Sequence, residues 1–191
     1  MPAFDQLSLT TARLRLRPLA AGDADSLYAI FSDPVVMRYW STPPWASHAQ
    51  AHEMIANDAV ELHAGAHLRL ALIRKADAAL VGTCSLFALH AASRRAEIGY
   101  ALARSAWGTG LMAEALDALV AHAFGELQLN RIEADIDPRN TASAKSLARI
   151  GFVNEGLFRE RWIVAGEVSD AAMYGLLRSE WRPTGAQLNV A

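Results

Sequence analysis

Cysteine is almost absent from this sequence: Cys84 is the only one among 191 residues. A single thiol excludes an intrachain disulfide framework and any zinc or iron–sulfur site built from several cysteines. Cys84 lies in an apolar segment, which is more typical of a packed side chain than of a nucleophile. The start of the chain also lacks the basic residues and long apolar run of a signal peptide, so we expect a cytoplasmic protein.

The net charge is also small. Lys and Arg total 18 and Asp and Glu total 20, which gives a formal net charge of −2. Such a balance provides no strong positive field to attract nucleic acid or anionic lipid. The longest weakly charged stretch, residues 78–93, is interrupted by Gly82, Ser85 and other polar residues, which favours strands over a membrane span. The composition therefore predicts neither direct nucleic-acid binding nor a membrane partner.

Hydrophobic residues, in contrast, are abundant at 52%, against 20% charged residues, and this excludes intrinsic disorder. The length predicts one domain, residues 1–182, followed by a flexible tail, residues 183–191. Hydrophobic periodicity predicts the order strand, two helices, three strands, helix, strand, helix and two strands, which is typical of an α+β domain. The predicted strands are 13–17, 67–74, 80–89, 94–103, 131–137, 152–163 and 167–177. The first predicted helix ends near residue 32, the second runs from Ser47 to about 62, and the last two cover 109–124 and 140–151.

The segment between Tyr100 and Met112 carries the clearest sign of chemistry. A strand runs into Gly108 and Gly110, and an amphipathic helix follows at once. Glycines let backbone N–H groups approach an anion, and the first helical turn adds unpaired donors and a partial positive charge. Together these features predict a phosphate or pyrophosphate site. No lysine follows the second glycine, so the nucleoside-triphosphate loop pattern fails.

Other interpretations of these motifs stay open. The pattern Gly108-x-Gly110-x-x-Ala113 loosely fits a dinucleotide fingerprint, but that fingerprint normally opens a domain of repeated strand–helix crossovers, whereas three predicted strands precede this loop. The two glycines also fit a plain tight turn. Farther along, Asn140 and Gly151 suit the two caps of a helix that has Ser143 in its first turn.

The order and spacing of all these segments resemble the GCN5-related N-acetyltransferase (GNAT) superfamily, and within it the RimJ and RimL type of ribosomal-protein N-terminal acetyltransferase. The resemblance covers about residues 8–182. It is carried by residues 11–18, 32–34 and 96–100, by Trp107-Gly108-Thr109-Gly110-Leu111-Met112, by Asn140-Thr141-Ala142-Ser143, by Gly151-Phe152, and by residues 173–177 and 180–181.

The resemblance implies an α+β fold with a mixed central sheet of about seven strands, splayed in the middle and flanked by about four helices. It also implies that acetyl-CoA binds in the splay and that no metal is needed. The implied cofactor contacts are strand residues Tyr100, Ala101 and Leu102, loop residues Trp107, Gly108, Thr109, Gly110, Leu111 and Met112, and the later pair Asn140 and Ser143.

Two positions depart from the superfamily pattern. Three residues before the first glycine, where Arg or Gln is frequent, this chain has Ser105. Seven residues after Asn140, where many members place a tyrosine that protonates the leaving thiolate, it has Leu147. The RimJ and RimL branch commonly lacks that tyrosine, so the resemblance makes Ser143 the candidate proton donor.

Glu97 is the candidate catalytic base. By strand alternation it shares a face with Gly99 and Ala101, whose small side chains leave room for a ligand. An ammonium substrate must lose a proton before it attacks a thioester, and a nearby carboxylate is suited to remove it. A solvent-exposed strand glutamate is the alternative. Glu133 and Asp135, on a neighbouring strand, fit a solvated face better than a device for attracting a cationic substrate.

Aromatic residues before the second predicted helix are candidates for the acceptor side. Tyr39, Trp40 and Trp45 lie where relatives build that side of the cleft, and they fit a substrate pocket and plain loop packing equally well. His48 and His52 are spaced i, i+4 but lack the metalloprotease pattern, which favours a surface helix over a metal site.

The leading hypothesis is an N-acetyltransferase that moves acetyl from acetyl-CoA to a primary amine by direct attack, with no acyl-enzyme. The acceptor is a protein N-terminus or a small amine, and the protein is expected to be a monomer or a homodimer. The alternative is a non-catalytic module that binds acyl-CoA. Such a module would keep Gly108 and Gly110 but would not need Glu97 or Ser143.

Overall fold

The computed structural model describes residues 4–183 and 189–190. Its sheet is built from β1 (Leu9–Thr10), β2 (Leu14–Arg17), β3 (Leu68–Arg74), β4 (Leu80–His90), β5 (Arg95–Leu102), β6 (Arg131–Ile136), β7 (Val153–Val164), β8 (Glu167–Leu177) and β9 (Asn189–Val190). Its helices are α1 (Ala24–Phe31), α2 (Ala49–Ala64), α3 (Leu111–Gly125) and α4 (Thr141–Ile150). The predicted α+β fold is confirmed.

The strands form one mixed sheet in the order β7-β8-β6-β5-β4-β3-β2-β1-β9. All neighbours are antiparallel except β5 and β6, which run parallel. The parallel pairing starts at Arg95 opposite Arg131 and stops at Glu97 opposite Glu133. Beyond that point β5 remains paired with β4 and β6 with β8, so the sheet opens between β5 and β6. This opening is the predicted splay.

Helices cover both faces of the sheet. The larger core lies on the α3 and α4 side, where Leu116, Leu119 and Leu147 pack with Ile98 and Ile132. The smaller core lies on the α1 and α2 side and takes in Ala101 of β5. Adjacent β5 positions thus enter different cores, as a period of two requires. Glu97 and Gly99 accordingly face the α1 and α2 side, as the sequence predicts.

The structure adds two strands to the seven that the sequence predicts. Strands β1 and β9 have two residues each, and two residues are too few to show a period. Strand β9 pairs with β1, although it belongs to the segment expected to be a flexible tail. The rest of that tail, residues 184–188 and 191, lies outside the described residues.

One predicted helix boundary is wrong. Helix α2 begins after His48, and no side chain caps its first turn, so Ser47 is not its cap. The first-turn side-chain contact comes from Gln50, whose Oε1 accepts from Ala46 N at 2.8 Å. The helix ends at Ala64, two residues beyond the predicted end near 62, because Gly65 takes a left-handed conformation with φ 65° after the last turn.

Strand β7 is the edge of the sheet and is exposed along almost its whole length. Among its exposed apolar side chains, Leu157 and Ile163 keep 52% and 72% of their surface in solvent. Within the part of the chain that the structure describes, we find no helix with the length and apolar character needed to cross a bilayer.

Candidate active site

The opening between β5 and β6 exposes one backbone edge of β5. Tyr100, Ala101 and Leu102 pair with β4 on one side. On the other side the partner strand β6 ends its pairing at Glu97, and the described residues offer no other strand there. Apart from Leu102 O, which accepts from Trp107 Nε1, the backbone groups that face this edge are available to a ligand.

The glycine loop ends in the N-terminus of α3. Gly108 and Gly110 have φ of +73° and +79°, and Gly110 is the N-cap of α3. A side chain at Gly108 would meet no atom within 4 Å. Among the described residues, no backbone carbonyl accepts from the N–H groups of Gly108, Thr109 or Gly110. The loop is thus an open cradle of donors at a positive helix end.

Several side chains in this loop form hydrogen bonds or pack within the protein. Trp107 Nε1 donates to Leu102 O at 2.7 Å, which ties the loop to the end of β5. Thr109 Oγ1 donates to Ala106 O at 2.6 Å. Leu111 and Met112 are buried in the core, with 4% and 7% exposure. These four residues can therefore offer a cofactor mainly their backbone groups.

Arg13 is a residue of this site that the sequence analysis missed. Its Nη1 donates to Thr109 O at 2.8 Å, and its Nε donates to Glu114 Oε2 at 2.7 Å. Glu114 also accepts from Thr11 and from the backbone N–H of Arg13. The guanidinium thus fixes the loop, although Ser105 stands where Arg is frequent. Arg13 and Glu114 are 101 residues apart in the sequence, so no local sequence pattern could predict their contact.

The predicted pair Asn140 and Ser143 lies at the N-terminus of α4. Asn140 Oδ1 accepts from Ser143 N at 3.1 Å, so Asn140 is the helix cap that its sequence position suggests. Ser143 is 8% exposed, and its Oγ lies 2.7 Å from the hydroxyl of Tyr100. Burial raises the pKa of Tyr100 to about 12, so this hydroxyl keeps its proton at neutral pH.

Glu97 lies where β5 and β6 separate, directly opposite Glu133. Burial, together with the charges of Glu133 and Asp135, raises the pKa of Glu97. The described residues place no cation within ion-pair distance of it. An unpaired carboxylate with a raised pKa is the form that proton abstraction requires.

The neighbouring acidic residues are compensated. Glu133 pairs with Arg95 at 2.9 Å and with Arg131 at 2.7 Å. Asp135 accepts from Trp162 Nε1 at 3.3 Å, and Arg161 lies 3.4 Å from it. The expected solvated face does not describe these two residues, because their side chains are only 20% and 13% exposed and are held in ion pairs. Their pairing leaves Glu97 as the free carboxylate of the group.

The three predicted acceptor-side aromatics have different surroundings. Trp45 stacks on Phe31 with ring centroids 4.7 Å apart, and Trp40 meets the same ring edge-on at 5.5 Å. Trp45 also lines a pocket of ≈ 330 Å³ between α2 and β3. Tyr39 instead lies 5.8 Å from the guanidinium of Arg139, in the loop that leads to α4. Packing accounts for both tryptophans, and Trp45 has a pocket face besides.

Comparison with known proteins decides the family. Residues 13–153 match the family model described as an acetyltransferase (GNAT) domain. The chain belongs to the GNAT family. As a GNAT protein it is an N-acetyltransferase that uses acetyl-CoA, and the resemblance found in the sequence is confirmed.

Three GNAT relatives illustrate the match. An uncharacterised N-acetyltransferase, p20, of Bacillus licheniformis is 39% identical over 91% of this chain and 98% of its own length. The putative ribosomal N-acetyltransferase YdaF of Bacillus subtilis is 39% identical over 55% of this chain and 57% of its own. The structure of Mycobacterium smegmatis RimJ in complex with CoA-disulfide superposes with a TM-score of 0.83 at 26% identity, covering 94% of this chain and 91% of that one.

The site fits the cofactor of this GNAT family. A pyrophosphate needs several convergent donors, and the loop at Gly108 and Gly110 has them free and unobstructed. An extended arm needs a backbone edge, and β5 offers one beyond Glu97. Neither feature requires Arg or Gln at position 105, because the donors come from the backbone.

Proposed function

We propose that this enzyme transfers acetyl from acetyl-CoA directly to a primary amine, with Glu97 as the general base. The observation that carries the proposal is the unpaired Glu97 at the mouth of the β5–β6 opening. The backbone edge of β5 lies farther along the same strand, so a thioester held there has a base beside it. Positioning both reactants at this point supplies proximity as well as proton transfer.

The acetyl-CoA site in this proposal has two parts. Gly108, Gly110 and the intervening N–H groups bind the pyrophosphate, with Trp107, Leu111 and Met112 holding the loop. The edge of β5 from Tyr100 to Leu102 binds the pantetheine arm and the acetyl carbonyl. Asn140 contributes the N–H groups of its Nδ2, because its Oδ1 already accepts the capping hydrogen bond from Ser143 N.

The proton for the departing thiolate comes from Ser143 in this proposal, supported by Tyr100. The two hydroxyls form one hydrogen-bonded pair, so the O–H of Tyr100 can donate to Ser143 Oγ and stabilise the oxygen from which the proton leaves. Leu147, which stands where many members have tyrosine, is fully buried and offers no donor.

Direct attack without an acyl-enzyme agrees with the state of Cys84. This thiol is fully buried in β4, and burial raises its pKa, which disfavours the nucleophilic thiolate. Replacing Cys84 with Ser or Ala should therefore leave the transfer intact, unless packing fails.

The acceptor is proposed to be a protein N-terminus or a small primary amine. A relative named as a putative ribosomal N-acetyltransferase supports the first. The Trp45 pocket, whose wall carries Glu53 beside the Asp58–Arg69 ion pair, supports a cationic acceptor of either kind. Purified protein supplied with acetyl-CoA and a panel of amines and N-terminal peptides tests this by released thiol. No turnover with any acceptor, together with intact acetyl-CoA binding, would instead favour the non-catalytic acyl-CoA module.

Two further properties remain predictions. A cytoplasmic location accords with the use of acetyl-CoA, and fractionation of cells would test it. The chain is proposed to act as a monomer or a homodimer, and sedimentation equilibrium would distinguish the two.

A further inference from the structure

A second cluster of polar side chains lies away from the β5–β6 opening, where the end of α2 meets the start of β3. Asp58 and Glu61 are one turn apart on α2, and His67 follows the Gly65 turn just before β3. Each of the three offers one potential ligand atom, and these atoms all lie within 4.8 Å of one another. The cluster brings together two carboxylates and an imidazole.

This cluster is incompletely satisfied. Asp58 has a side chain that is only 4% exposed, and Arg69 Nη1 donates to its Oδ1 at 2.6 Å. Its other oxygen, Oδ2, is buried without a hydrogen-bond partner among the described residues, as is His67 Nε2. A buried carboxylate oxygen without a partner is costly, by roughly 1–3 kcal/mol or more for a charged group. The unpaired Oδ2 of Asp58 therefore calls for an electropositive partner.

The donor set of the cluster, two carboxylates and one imidazole, suits a metal ion better than an anion. Glu61 Oε2 lies 3.0 Å from His67 Nδ1, so these two atoms are already close enough to bind the same ion. Arg69 neutralises one of the two carboxylates, which leaves one negative charge to attract a cation.

We propose that Asp58, Glu61 and His67 bind a divalent transition-metal ion of the zinc type. One imidazole and two carboxylates are a ligand set for Zn²⁺, whereas Mg²⁺ prefers oxygen alone. Zinc bonds of about 2.0–2.2 Å place tetrahedral ligand atoms about 3.4 Å apart, so the side chains close slightly around the ion. Arg69 keeps its bond to Asp58 Oδ1, and Oδ2 faces the metal.

The proposed ion would link α2 to β3 and would take no part in acetyl transfer. The ring of Phe87 lies 6.0 Å from that of His67, and Phe87 is also the β4 partner of Glu97. Phe87 thus lies beside the cluster and is the register partner of the candidate base. The same cluster borders the Trp45 pocket through Asp58 and Glu61, so the ion would stiffen one wall of the acceptor side.

The test uses tag-free protein, stripped with a chelator and titrated with Zn²⁺ alone by calorimetry and by melting. We expect one zinc per chain and, at about 100 times the Kd, a Tm increase of roughly 5–11 °C, with no comparable effect of Mg²⁺. No saturable binding, or a stoichiometry unrelated to one per chain, would overturn the proposal.

Three variants locate the ion. His67→Ala and Asp58→Asn should each weaken zinc binding at least tenfold. His63→Ala is the matched control, because His63 lies on α2 and pairs with Asp5 at 3.0 Å much as His67 pairs with Glu61. It should keep wild-type affinity. Zinc binding that survives in His67→Ala, or that is lost in His63→Ala, contradicts the assignment. Acetyl-CoA should still stabilise all three variants, which shows that they are folded and separates this test from that of the acetyl-transfer site.

Discussion

The hydroxyl of Tyr100 on β5 and Oγ of Ser143 on α4 lie 2.7 Å apart. This hydrogen bond joins two elements that border the sheet opening, and it couples a strand residue predicted for its backbone to a serine predicted as a proton donor. In such a pair the hydrogen bond from one hydroxyl polarises the other and strengthens it as a proton donor.

The first prediction concerns this pair. Ser143→Ala removes the proposed donor, so acetyl transfer should slow, and the loss should grow as the leaving thiol becomes less acidic. Tyr100→Phe leaves Ser143 in place and should cause a smaller loss with the same dependence. Rates measured with acyl thioesters of different thiol pKa provide the check. A loss that is equal for all thiols would assign both residues to packing.

The second prediction concerns Glu97 as the base. Glu97→Gln should reduce the rate at neutral pH by about 10²–10⁴-fold, since this is the usual value of general-base catalysis. The loss should shrink at higher pH, where more of the amine is already deprotonated. Because burial raises the pKa of Glu97, the wild-type rate should fall on the acidic side at a higher pH than an ordinary glutamate would give. An unchanged rate and pH profile in the variant would leave proton removal to water.

The same substitution should not lower stability. A carboxyl whose pKa is higher in the folded than in the unfolded state binds its proton more tightly when folded, so its ionised form opposes folding. This cost exists at neutral pH and disappears as the pH falls below the ordinary pKa of glutamate, about 4.3. The Tm of Glu97→Gln should therefore equal or exceed that of the wild type at pH 7.

Glu155→Gln is the matched control for this stability prediction. Its hydrogen bond from Arg131 lowers the pKa of Glu155, so its ionised form favours folding above the ordinary pKa, and that contribution is lost as the pH falls. The control should show no gain in Tm at pH 7. A gain in both variants would point to a general effect of net charge.

The third prediction concerns the glycine cradle. Gly110→Val puts a branched side chain into a left-handed backbone position beside the proposed pyrophosphate, so the Kd for acetyl-CoA should rise by tenfold or more. The φ of +79° means that some stability is lost as well. Gly166→Val controls for this, because Gly166 has φ +86° and open space around it in the β7–β8 turn. Similar binding losses in both variants would contradict a local role for Gly110.

The fourth prediction concerns Arg13. Arg13→Ala frees Thr109 O and Glu114, so the loop should loosen and KM for acetyl-CoA should rise, while KM for the amine changes little. Arg15→Ala is the control, since Arg15 lies two residues farther along, on β2, with its side chain exposed. Steady-state kinetics with each substrate varied in turn measure the split. Equal increases in both KM values would make Arg13 a residue of general stability.

The fifth prediction concerns the acceptor side. Trp45→Ala removes one wall of the ≈ 330 Å³ pocket, so KM for the amine should increase far more than KM for acetyl-CoA. Trp40→Ala should mainly reduce Tm, because its contact is with the edge of Phe31. If Trp45→Ala lowers Tm and leaves both KM values alone, the residue packs the loop and nothing more.

Several parts of this protein were predictable because their cause is local. The helix that became α4 has Asn140 before it and Gly151 after it, and both caps act within a few residues. The alternation that placed Glu97 and Ala101 on one face of β5 depends on strand geometry alone. The two glycines of the α3 loop permit the positive φ values found there, because glycine has no Cβ.

The remaining features depend on contacts between distant parts of the chain. Arg13 and Glu114 are 101 residues apart, and Tyr100 and Ser143 are 43 apart, so no window of sequence contains either pair. Glu97 has no ion-pair partner among the described residues because Arg95 and Arg131 both bind Glu133 instead. The sequence by itself determined the four helices, seven of the nine described strands and the family. The tertiary structure decided which carboxylate stays unpaired and which hydroxyls meet, because hydrogen bonds and charge interactions act over a few ångströms and follow distance in space rather than distance along the chain.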